Sequence, residues 1–84
     1  MGGGAPRVKR RLGSTPIERL CARDATCPDI FELEDGRVAV IGTEMTESLK
    51  PNLPHDAGVA AYERIVVIPR ATLMAAQDEI SKLR

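Results

Sequence analysis

The chain has 84 residues, with 12 Lys and Arg against 12 Asp and Glu, two cysteines, one histidine and two aromatics, Phe31 and Tyr62. That length allows one domain, and with no Trp the core has to be built from Ile, Val, Leu, Met and Ala, so a net stability of roughly 3 to 5 kcal/mol and a stabilising partner are the expectation. No apolar run reaches the length of a secretory signal or a membrane span, which points to a soluble, cytoplasmic protein.

The zero net charge is a sum of opposites. Arg7, Lys9, Arg10 and Arg11 stand alone in the first thirteen residues, and the remaining eight cations face all 12 carboxylates. Residues 1–13, rich in Gly and cations with only Val8 and Leu12 as sizeable apolar groups, read as a flexible basic arm, because so little apolar surface does not offset the entropy of ordering. Residues 14–84 read as a single small α+β domain.

At Ser14-Thr15-Pro16-Ile17-Glu18 a helix start is written. Thr15 is the N-cap, Pro16 takes the first helical position and Glu18 completes a capping box. The helix runs to about residue 22 or 23, with Ile17, Leu20 and Cys21 as its buried stripe. The next signal is stronger. Asp35-Gly36 between Asp29–Glu34 and Arg37–Ile41 predicts a hairpin with a two-residue type I′ loop. Counting outward, Glu34 faces Arg37, Leu33 faces Val38, Glu32 faces Ala39 and Phe31 faces Val40. Phe31, Leu33, Val38 and Val40 then share a face that meets the C-terminal helix, while Ile30 and Ile41 end the opposite face as uncovered apolar groups.

Thr46–Leu49 fits one helical turn capped by Thr46, and Lys50-Pro51-Asn52-Leu53-Pro54 ends it. Residues 50–62 form a long connection whose apolar residues are Leu53, Val59 and Tyr62, a candidate surface. Arg64–Ile68 is a β-branched run that predicts a strand covered on both faces and central in the sheet. From Ala71 the spacing of Leu73, Ala76, Gln77, Ile80 and Leu83, with Met74 alongside, predicts an amphipathic helix of about three turns. The architecture expected is a small three-stranded, mostly antiparallel sheet with a short N-terminal helix and a C-terminal amphipathic helix packed on one face.

No residue set reads as catalytic, cofactor-binding or metal-binding. His55 sits between Pro54 and Asp56 in the long connection, where a Cys27-His55-Asp56 arrangement lacks any oxyanion-hole turn and a solvated loop histidine is the simpler reading. Cys21, Cys27 and His55 offer three zinc ligands where four are needed, with cysteine spacing wider than usual. In a reducing cytosol the two cysteines read as buried small hydrophobes rather than a disulfide. Glu32, Glu34 and Asp35 read as a solvated strand face and turn. The arm is the one feature with a direct functional reading: Arg7, Lys9, Arg10 and Arg11 can neutralise phosphates with salt-dependent affinity. No stacking platform or helix-turn-helix accompanies it, so a solubilising or acidic-partner-binding tail is the simpler reading.

Cys27-Pro28-Asp29-Ile30-Phe31-Glu32-Leu33 followed by Gly36-Arg37-Val38-Ala39-Val40-Ile41-Gly42 resembles the core of short actinobacterial proteins of unassigned function, over residues 27–83. More distantly it is similar to BldB-like proteins and to the small partner proteins that accompany helix-turn-helix regulators. Those partner proteins continue the second strand into Arg-Asp-Ser and carry a Trp in the last helix, where this chain has Ile41-Gly42-Thr43 and Leu73-Met74. The resemblance implies a regulatory partner role.

The function expected is thus a non-enzymatic regulatory or adaptor protein. It binds a protein partner, a transcription regulator included, or a second copy of itself, through Ile30, Ile41, Leu53, Val59 and Tyr62. The alternative is a nucleic-acid-associated protein working through Arg7, Lys9, Arg10 and Arg11. Neither reading calls for a cofactor or a membrane.

Overall fold

Three antiparallel strands, β1 (Val8–Arg11), β2 (Asp29–Leu33) and β3 (Val38–Ile41), form a sheet in the order β1-β2-β3. The structure is a computed structural model that describes residues 5–13 and 27–83; the helix expected over residues 15–23 lies outside the described residues. Over Val8–Arg11, strand β1 corrects the reading of residues 1–13 as a flexible arm. Val8 pairs with Leu33, Arg10 with Glu32 and Arg11 with Phe31, with a bulge between Val8 and Arg10. Carboxylates on β2 supply what the arm lacks in apolar surface. Arg10 Nε donates to Glu32 Oε1 at 2.8 Å, Lys9 Nζ lies 3.9 Å from Glu32 Oε2, and Arg11 reaches Asp29 Oδ2 at 3.0 Å.

The hairpin forms where Asp35-Gly36 predicts it, but one residue out of the expected register. Glu32 pairs with Val38, Phe31 with Ala39, Ile30 with Val40 and Asp29 with Ile41. Leu33 N donates to Arg37 O at 2.8 Å and Gly36 N to Leu33 O at 3.0 Å, leaving three residues, 34–36, in the loop. Gly36 takes the positive φ of +94° that this turn-plus-bulge geometry needs. Asp35 holds the wider loop through its side chain, accepting from Arg37 N at 3.0 Å and from the guanidinium at 2.6 Å. A slip of one residue moves a strand's side chains to the other face relative to its partner. Ile30 therefore shares a face with Glu32, Val38 and Val40, and Ile41 lies on the other with Asp29, Phe31, Leu33 and Ala39.

The core follows the helix-facing side of this sheet. Leu12, whose N–H donates to Ile30 O at 2.8 Å, joins Ile30 and Ala76 as its buried centre, with Ile68, Ile80 and Leu83 packed around them. The run Arg64–Ile68 is not central in the sheet. Only Val66–Val67 forms a strand, β5, paired with Thr43–Glu44 (β4) in a separate two-stranded ladder and exposed to solvent. Hydrogen bonds from Met45 N to Ile65 O and from Ile65 N to the buried Thr46 Oγ1 extend that ladder. Thr46 thus does not cap the following helix, α1 (Thr46–Leu49), whose N-cap is Met45.

The C-terminal element is two short helices, α2 (Arg70–Ala75) and α3 (Gln77–Ser81), meeting at Ala76 with φ −95° and ψ 0°. Gly13, at the end of β1, lies against the backbone of this junction and donates its N–H to Glu79 Oε1. Thr72 and Ala76 are the buried positions of α2 and its cap. Small side chains there let the helix approach Gly13 at backbone distance.

Candidate functional site

That inward stripe decides which apolar groups remain outside. Thr72, Ala76, Ile80 and Leu83, at spacings of four, four and three, are turned toward the sheet, which rotates Leu73 and Met74 outward. They are 49 % and 53 % exposed. With Gln77, Ile80 and Ser81 they line an open groove of about 350 Å³. The sequence pattern assigned Leu73 to the buried face with Met74 alongside it. The alternative stripe beginning at Thr72 was equally readable in helical spacing, but it ranks lower when apolar side chains alone are scored.

The structure distributes the residues expected to bind a partner. Ile30 is 2 % exposed and belongs to the core, which removes it from any docking surface. Ile41 is 52 % exposed on the opposite side of the sheet, so these two residues do not form one patch. Leu53 and Val59 are half-buried along the connection, which begins with a single 3-10 turn over Lys50–Asn52. Tyr62 is 84 % exposed, the most open of the large apolar side chains among the described residues. Val8, Val38, Val40, Val66 and Val67 are also exposed.

The four basic residues are ordered on β1 and its approach. Arg11 grips the buried Asp29 carboxylate with Nε at 3.0 and 3.1 Å from its two oxygens and stacks 5.3 Å from the centroid of Phe31. Arg10 and Lys9 share Glu32, while Arg7 has no ion pair among the described residues. Three of the four cations are committed to β2, so contact with phosphates has to compete with those pairs.

His55 is exposed in a turn at residues 55–56. Cys27 is buried and disulfide-bonded, correcting its reading as a free thiol and removing it as a nucleophile; the chain's other cysteine, Cys21, lies outside the described residues. No three His, Cys, Asp or Glu side chains among the described residues gather as a metal site. The perturbed titrations are local. Hydrogen bonds from Arg37 hold the Asp35 carboxyl below its ordinary range, and Asp35 raises Arg37 in return. Hydrogen bonding with Thr46 lowers Glu44, whose Oε2 accepts from Thr46 N at 3.0 Å. Among the described residues no helix is long and apolar enough to cross a membrane.

No protein family, curated protein or solved structure matches this chain.

Proposed function

We propose that this chain is a non-enzymatic regulatory or adaptor protein that acts by protein–protein contact. The observation that carries the reading is the outward turn of Leu73 and Met74 beside Ile80 on α2 and α3. Two large apolar side chains are held over a groove by a helix whose inner face is already satisfied by Thr72 and Ala76. Because each is already about half covered, leaving such groups in water forgoes roughly 0.7 to 1.5 kcal/mol for each that a partner would bury. Grooves of this kind accept an apolar helix face. A DNA-binding transcription regulator is the partner class that the resemblance at Cys27–Leu33 and Gly36–Gly42 implies.

The test is affinity purification of the tagged chain from its native cells, beside the double variant Leu73→Asp and Met74→Asp. The expected result is a DNA-binding regulator recovered with the wild type and lost with the variant, whose far-UV circular dichroism stays native. A regulator retained by the variant, or none recovered by the wild type, overturns the reading. The nucleic-acid alternative gains no observation of its own, because Lys9, Arg10 and Arg11 are occupied by Glu32 and Asp29.

A further inference from the structure

The two edges of the three-stranded sheet are built differently. On β1 the edge is interrupted by the bulge between Val8 and Arg10 and carries Lys9, Arg10 and Arg11, devices that discourage pairing with another strand. On β3 the sequence Val-Ala-Val-Ile has no charge, no Pro and no register shift against β2.

The hydrogen-bond parity shows which groups that edge presents. Leu33 N donates to Arg37 O, so Arg37, Ala39 and Ile41 turn their backbone groups toward β2, and the alternation of an extended chain turns the N–H and C=O of Val38 and Val40 outward. Neither residue makes any other backbone hydrogen bond among the described residues. Past Gly42, Met45 has the same odd parity as Ala39 and donates to Ile65 beside β5, so β2 and β5 lie along one flank and the other flank is open among the described residues. Val38, Val40 and Ile41 are exposed along it.

We propose that two copies of this chain pair antiparallel through the outer edge of β3, about a two-fold axis at Ala39, joining their sheets into one of six strands. In that register Val38 of one copy faces Val40 of the other, twice, and each pair exchanges both backbone hydrogen bonds. An antiparallel strand paired on itself with uncharged residues opposes no like charges, and β-branched pairs across strands are favourable.

The experiment is sedimentation equilibrium of the full chain from about 1 μM to about 1 mM, with amide exchange followed residue by residue. The expected result is a species of twice the chain mass, with Val38 and Val40 amides protected in step with dimer formation. Val40→Pro deletes one outward donor while leaving the β2 ladder intact. It weakens association about tenfold or more and keeps the Ala39 and Ile41 amides protected, which verifies the fold. A chain monomeric throughout, a dimer whose Val38 and Val40 amides exchange freely, or protection that arises only on adding a different protein overturns the proposal. Leu73→Asp with Met74→Asp leaves this dimer unchanged, so failure here and failure of the groove reading are separate results.

Discussion

Replacing Gly13 by Ala tests whether the end of β1 sets the position of α2 and α3, and so of the groove they carry. Gly13 has φ +90°, and a Cβ there would lie 3.1 Å from Ala75 C and Ala76 N and 3.2 Å from Ala75 O. Two costs combine. A left-handed backbone costs an L residue about 1 to 2 kcal/mol, and forcing atoms against a packed backbone costs about 1 to 3 kcal/mol. Because the neighbours are main-chain atoms of a helix junction, rotation of a side chain does not relieve the contact. Gly36 provides the control. Its φ is +94°, but nothing lies within 4 Å of the place a methyl group would take, so Gly36→Ala carries the conformational cost of about 1 to 2 kcal/mol alone. Urea unfolding followed by circular dichroism should therefore place Gly13→Ala below Gly36→Ala by about 1 to 3 kcal/mol. With a total near 3 to 5 kcal/mol, Gly13→Ala is expected at or beyond the edge of folding, in which case amide exchange at Ile30 reads the loss. Equal costs at the two positions, or a smaller cost at Gly13, would refute the packing argument.

Three further outcomes follow from the same geometry. Arg11→Met removes one charged hydrogen-bond partner of Asp29, whose side chain is 6 % exposed, and should cost about 1 to 3 kcal/mol, whereas Arg10→Met at an exposed pair should cost about 0.2 to 1 kcal/mol; equal values by urea titration would contradict the distinction. Thr46→Val leaves Ile65 N without the 2.8 Å bond to Oγ1 and should cost about 1 to 3 kcal/mol, with faster amide exchange at Ile65 as the local readout. Glu44 has its folded pKa lowered from an ordinary 4.5 by hydrogen bonding with Thr46. Its contribution is complete above that value and disappears as pH falls through the lower folded value. Glu44→Gln should lower stability near neutrality and converge with wild type in acid, flattening the acid side of the stability curve; an unchanged acid limb would exclude Glu44 as its source.

Much of the local structure was legible because short-range chemistry dictates it. Asp35-Gly36 marked the turn, Pro69 ended the β-branched run, and the helical spacing after Ala71 marked the last element, all through dihedral limits and periodicity that need no neighbours. The small α+β class with a three-stranded antiparallel sheet and helices was readable on those grounds. The identity of the third strand was not. A strand of cations looks disordered until Glu32 and Asp29, some twenty residues away, neutralise it.

Register was decided by a similar contest. A two-residue and a three-residue loop both place Gly36 where glycine is favoured, and only the Asp35 bonds to Arg37 together with the packing of Ile30 on Leu12 and Ala76 select the second. That single step sent Ile30 into the core and left Ile41 outside. The helix shows the same limit. Apolar periodicity names a face, but close approach to Gly13 requires small side chains at Thr72 and Ala76, which rotates Leu73 and Met74 into solvent. Local sequence determined where the chain turns and where it coils, because those preferences act over a few bonds. Tertiary structure decided which apolar groups face outward, because that depends on charges and contacts between segments far apart in the chain.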